Sequence, residues 1–170
     1  FFAVVTYLCV VVHALYFLYY KYVLGGRWTG PRSIAPRVKD WEDFKTHLGF
    51  FLGLKKTPPE FDRFSYLEKF DYWAIFLGMN TMGVTGLFLW FPEFFTSFLP
   101  GFFVNIARFL HLYEAVVAVF LKVFVHVGMV HFRPAVYPAD MSIFTGRTTL
   151  EKMKAEHPGE YREYLKNAPR

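Results

Sequence analysis

The stretch VNIARFLHLYEAVVAVFLKVFVHVGMV, residues 104–130, decides how this chain is read. It is long enough to cross a bilayer as a helix, which takes ~20 predominantly apolar residues. Yet it carries Arg108, His111, Glu114, Lys122 and His126. Ionisable side chains are expensive inside a membrane and mark function by default. His111 and His126 stand 15 positions apart. In an α-helix that is ~22 Å of rise, and fifteen steps of ~100° return to within about 60° of the starting direction. Both rings therefore face broadly one way, one near each side of the bilayer, with Ala115, Ala118 and Lys122 between them. Small residues there leave room for a flat cofactor against the helix. Two stacked b haems, one per leaflet, need this arrangement, because neutral imidazole is a good axial ligand for iron.

Two more apolar stretches flank this one in the sequence. Residues 1–24 meet their first charge only at Lys21, and Gly25-Gly26 stops them. Residues 70–91 carry no charge between Tyr72 and Phe91, and Pro92 and Pro100-Gly101 follow. These are ordinary helix-ending signals. Seventeen of the nineteen Lys and Arg lie at one face: eight in the linker 25–68, seven from Arg133 onward, and Lys21 and Lys69. The loop 92–104 has none. The positive-inside rule makes the basic face cytoplasmic and turns the loop 92–104 toward the periplasm of a bacterial inner membrane.

That topology gives His126 a partner. The first and third spans both run inward, and His13 and His126 fall at similar depth in the cytoplasmic half, so they can share one haem. His111, near the outer side, needs another ligand. The chain begins at Phe1, already inside an apolar run and without a charged stretch before it, which reads as a piece of a longer chain rather than a signal peptide. A histidine just upstream of Phe1, about 14 residues before His13, would match the depth of His111. A lone membrane histidine more often makes a helix–helix hydrogen bond. Two on one helix at haem spacing, with a third at matched depth, favour ligation.

The composition agrees. Of 170 residues, 54% are hydrophobic, 22% aromatic and 19% charged, and the mean hydropathy is +0.24. An ordinary soluble domain is about one quarter charged. This excludes a disordered chain, a collagen-like repeat and most soluble enzymes of this length. The single cysteine, Cys9, excludes an internal disulfide and a CxxC site. The net charge of +5 follows from topology, and no nucleic-acid role is expected.

Within the linker, residues 40–52 have helical order. Asp40 can cap them, and Trp41, Phe44, Leu48, Phe51 and Leu52 form one stripe that Gly53 closes. This predicts an amphipathic helix at the membrane surface. In the tail 133–170, Thr148 or Thr149 can cap a helix through Glu156, and Glu160–Lys166 can form another. His47 and His157 fall in these polar parts. His131 is five positions past His126 and points elsewhere on the helix, interfacial or beside a haem propionate with Arg133. The fold class is thus an all-α membrane protein: a transmembrane helical bundle with an interfacial helix and a short helical cytoplasmic tail.

The stretch from Glu68 to Trp73, with Gly78-Met79 and the run from Met82 to Phe91, resembles the third helix of a family of di-haem cytochrome b subunits. His111 to Ala115, then His126 and His131 to Pro134, resembles its fourth helix and exit. These subunits are similar to the gamma subunit of membrane formate dehydrogenase. The resemblance covers nearly the whole chain, and implies that the full protein is a four-helix bundle of which this chain holds helices two to four. It also implies two b haems, ligated here by His13, His111 and His126. The partners it implies are a quinone pool and a multihaem cytochrome c or iron–sulfur subunit within a hetero-oligomeric complex. Asn80 and Gly83 are the nearest matches to the family's quinone-approaching Asn and Gly, although Asn80 also suits a helix-packing hydrogen bond. Lys122 is either a snorkelling or ion-paired residue or a counter-charge to a haem propionate. Lys69 and Asp71, at the inner end, are placed to exchange protons with water. Two competing readings are a haem-poor structural anchor of a larger redox or photochemical complex, and a transporter. The spans lack the broken helices a transporter would show.

Overall fold

The computed structural model describes residues 1–134, 136, 137 and 139–167. Among them the regular structure is helical. Three helical segments are long and apolar enough to cross a membrane: Phe2–Tyr22, Tyr66–Trp90 and Phe102–Phe132. The first is α1. The second is α3. The third begins as α5, Phe102–Phe120, and continues in two π-helical runs, Leu121–His126 and Gly128–Phe132. The expected spans 1–24, 70–91 and 104–130 are all present, with shifted ends. The chain forms two compact units, Phe1–Gly25 with Trp73–Pro138, and Gly26–Tyr72 with Ala139–Arg170.

The first unit has almost no apolar core of the ordinary kind. No residue of α1 is buried, and large apolar side chains such as Val12, Leu15, Phe109, Val116 and Phe120 face outward. In water such a surface would aggregate. On a multi-pass membrane protein it is the surface that contacts lipid. Small residues set the packing between helices, as they do where lipid replaces water. A Cβ at Gly83 of α3 would overlap the Tyr7 ring of α1, and one at Gly78 would overlap the Glu114 carboxylate of α5. Gly78 and Thr85 are seven positions apart, hence on one face of α3, while Gly83 lies about 140° round from Gly78. So α3 meets α5 on one side and α1 on another. The short helix α4, Pro92–Thr96, follows α3 and stacks Phe95 on Phe88, ring centroids 4.0 Å apart.

The second unit is held by ion pairs. Helix α2 runs Val38–Phe51, starting earlier than the predicted 40–52. Asp40 is not its cap. It lies in the first turn and accepts the Arg37 backbone N–H at 2.6 Å. Gly53 closes the helix as predicted, at a positive φ of 72° that glycine adopts without penalty. Helix α3 starts at Tyr66 rather than Phe70 because Ser65 and Glu68 form a capping box. The Glu68 carboxylate accepts from the Ser65 N–H at 2.8 Å, and the Ser65 hydroxyl accepts the Glu68 N–H at 3.3 Å.

The tail folds back onto the linker. After α6, Ser142–Thr145, come α7, Leu150–Glu156, and α8, Pro158–Asn167. Thr149 caps α7 as predicted, accepting the Lys152 N–H at 3.2 Å. The Gly159 N–H donates to the Phe61 carbonyl at 2.9 Å, and Arg63 pairs with Glu160 at 2.6 Å. Arg162 pairs with Glu60, and His157 Nδ1 lies 2.7 Å from the Asp62 carbonyl. Arg170, counted above among the basic residues of the tail, lies outside the described residues.

Candidate functional site

His111 sits on the α3-facing side of α5. Its Nδ1 lies 2.9 Å from the Thr85 hydroxyl oxygen, and the edge of its ring lies over Gly86. One turn on, the Glu114 carboxylate occupies the space at Gly78. The order of these contacts reverses along the two helices, so α3 and α5 run antiparallel. Helix α3 thus grips the polar side of α5 with residues that have little or no side chain.

His126 ends the first π-helical run and is half-buried. The α-helical rise of ~22 Å between His111 and His126 therefore does not hold. In i→i+5 winding each residue advances the helix less and rotates it less, roughly 80° instead of ~100°. Over nine α and six π steps the two imidazoles end within about 60° of each other. They still share one broad face, at a shorter separation.

His13 lies on the exposed side of α1. It is six positions past Tyr7, the residue that packs on Gly83, so ~9 Å further toward the C-terminal end of α1.

The remaining expected site residues behave differently. Gly83 is filled by Tyr7 and serves the α1–α3 contact. The Asn80 side-chain N–H donates to the Phe76 carbonyl on its own helix at 2.7 Å, so this donor bridges no pair of helices. Lys122, His131 and Arg133 are exposed. Lys69 does not reach water: its side chain is 3% exposed, and its ammonium lies 2.8 and 3.0 Å from the two oxygens of Asp40. Asp71 is half-buried.

Two residues gained a place that the sequence did not assign. Thr85 is buried and contacts His111. His47 stacks on Phe51, centroids 4.5 Å apart, and its Nδ1 lies 3.1 Å from the Tyr66 hydroxyl. Burial holds the His47 pKa below the usual imidazole value. The signal for Thr85 lay in its seven-residue spacing from Gly78. For His47 it lay in the aromatic residues around it.

Among the described residues no group of three or more His, Cys, Asp or Glu could enclose a bare metal ion. A haem needs only axial ligands from the protein, and the donors within the spans are imidazoles. Thr85 engages His111 through Nδ1, which leaves Nε2 as the ring nitrogen for iron. The donor set fits a b haem.

Three apolar spans with imidazoles on two of them, one of those rings held by a neighbouring helix, define a multi-pass membrane protein built to carry haem. The family model for prokaryotic cytochrome b561 matches residues 1–145, and the chain belongs to that family. It is therefore a membrane b-type cytochrome that binds haem b and serves transmembrane electron transfer. The match identifies this broader family and not the narrower likeness to the formate dehydrogenase gamma subunit. No curated protein and no solved structure gives a significant match.

Proposed function

We propose that this cytochrome holds two b haems and carries electrons between a quinone pool and a partner redox subunit, a periplasmic multihaem cytochrome c or an iron–sulfur protein. His13 and His126 would ligate one haem, and His111 would be an axial ligand of the other. The observation that carries this reading is the placement of His111 and His126 on one face of a single membrane helix, with the His111 ring already fixed at Nδ1. Bound haem supplies the one-electron redox chemistry. The chain supplies imidazole ligands, an aromatic and apolar surround, and lipid-facing surfaces that keep water away.

The basic face is assigned to the cytoplasm of the inner membrane. Helix α2 suits a membrane surface. Its Asp43 is buried and pairs with Lys39 at 2.6 Å, while Trp41, Leu48 and Phe51 are exposed. Exposed apolar residues along a helix that also carries exposed Glu42 and Lys45 suit the boundary between lipid and water.

The test is the reduced-minus-oxidised spectrum and haem content of the purified membrane protein. The expected result is b-type bands, with part of the haem lost in His126→Ala and a different part in His111→Ala. Full haem content in both variants would overturn the ligand assignment. Absence of b-type bands in the unaltered protein would overturn the reading itself, leaving a structural anchor.

A further inference from the structure

We infer that Thr85 is a positioning residue for His111: its hydroxyl fixes the imidazole tautomer that presents Nε2 to iron. The argument is a count of protons. A threonine hydroxyl has one proton to donate and lone pairs to accept with. Thr85 Oγ1 lies 2.7 Å from the Thr81 carbonyl one turn back on α3, and 3.4 Å from the Met82 carbonyl. Carbonyl oxygens only accept, so the hydroxyl proton is committed to the backbone. The same oxygen lies 2.9 Å from His111 Nδ1. With its own proton spent, it can only accept there, so Nδ1 carries the hydrogen. Nε2 is then the unprotonated nitrogen, the form a neutral histidine must take to bind iron through that atom.

Two features make the device rigid. Thr85 is 6% exposed, so water does not compete for its oxygen. Gly86, beside it, leaves the imidazole edge free of a side chain, and even an added Cβ would stay at 3.4 Å from Cε1. The ring is thus held by one hydrogen bond and by the flat backbone of α3. Such a bond to the far nitrogen of a ligand fixes its orientation and raises its basicity, and removing one typically costs 10–100-fold in metal affinity.

The inference rests on His111 being a haem ligand, and the experiment separates the two. Haem content, low-spin EPR g-values and haem midpoint potentials are measured on the detergent-solubilised protein for wild type, Thr85→Val, Thr85→Ser and His111→Ala. Thr85→Val keeps the shape and loses the hydroxyl. It is expected to shift the g-values and raise the potential of the haem that His111→Ala removes, and to weaken its retention about 10-fold. Thr85→Ser is expected to restore wild-type values. If His111→Ala keeps every haem, the ligand assignment fails. If His111→Ala loses a haem but Thr85→Val leaves potential, g-values and retention unchanged, the positioning role fails. Electron–nuclear double resonance on the unaltered protein decides the matter if Thr85→Val does not assemble. A proton on Nδ1 of the ligand upholds the inference, and iron bound through Nδ1 overturns it.

Discussion

Asp40→Ala should destabilise this protein more than Lys69→Met, although the two substitutions break the same ion pair. The Lys69 side chain is 3% exposed and the Asp40 side chain 14%. Removing Asp40 strands an ammonium away from water, since both carboxylate oxygens that it contacts disappear. A stranded buried charge costs roughly 3–5 kcal/mol. Removing Lys69 strands less. Asp40 keeps the Arg37 backbone N–H at 2.6 Å and some access to solvent, and methionine refills the space of the lysine stem. About 1–3 kcal/mol is expected there. For a chain of 150–250 residues each kcal/mol moves the melting temperature by about 2–4 °C. Asp40→Ala should therefore lower it by roughly 6–20 °C, and Lys69→Met by about half as much. The double variant Asp40→Asn, Lys69→Met should recover most of the loss, because two neutral groups need no pairing. The assay is thermal unfolding in detergent, followed by intrinsic fluorescence. Equal losses, or a larger loss in Lys69→Met, would refute the argument that burial of the lysine dominates.

Gly83→Leu should lower the melting temperature by the equivalent of about 1–3 kcal/mol by driving a side chain into Tyr7. Tyr7→Ala in the same chain should relieve much of that loss, and an unchanged melting temperature in Gly83→Leu would refute the contact. The hydrogen bond from Lys152, with further bonds from Ser142, depresses the Asp140 pKa from 3.8 to about 2. Because the folded value is the lower one, this contribution is complete above about pH 4 and disappears as pH falls toward 2. Carbon NMR of the Asp140 carboxyl should show the low midpoint, and Lys152→Ala should return it toward 3.8. Trp41, 61% exposed on α2, should be quenched by brominated lipid in vesicles. No difference in quenching between wild type and Trp41→Phe would remove α2 from the membrane surface.

The parts of the fold governed by local chemistry were legible in the sequence. Apolar length gave the three spans, Gly53 and Thr149 punctuated their helices as expected, and the histidine spacing pointed to a haem protein. The start of α3 is equally local: Ser65 and Glu68 have capping-box spacing, although the apolar run itself begins only at Phe70. Other features depend on residues far apart in the chain. Asp40 meets Lys69 across 29 positions, and Arg63 meets Glu160 across 97. No periodicity encodes such a pair. It turns a lysine expected at water into a buried one, and ties the tail to the linker. The π-helical winding after Phe120 has no local signature either, since Val123, Val125 and Val127 suit an apolar span whichever way it is wound.

The small residues carry a more general point about reading membrane helices. Ala115 and Ala118 on α5 invited a flat cofactor in the sequence, yet Ala118 is exposed and Ala115 is half-buried. The small residues that accept neighbours are on α3, where Gly78, Gly83 and Gly86 receive Glu114, Tyr7 and His111. Where lipid leaves little hydrophobic force between helices, close approach and polar contacts decide the packing. A ligand helix must present polar groups, so its partner must be the one with room for them. The helix that carries no expected haem ligand is therefore the one that orients the ligand helix. On this view Gly78→Leu should disturb haem binding through the register of α5. Gly83→Leu, on another side of α3, should disturb stability with a smaller effect on the haem at His111. Equal haem loss in Gly78→Leu and Gly83→Leu would show that the two sides of α3 are not separate in function.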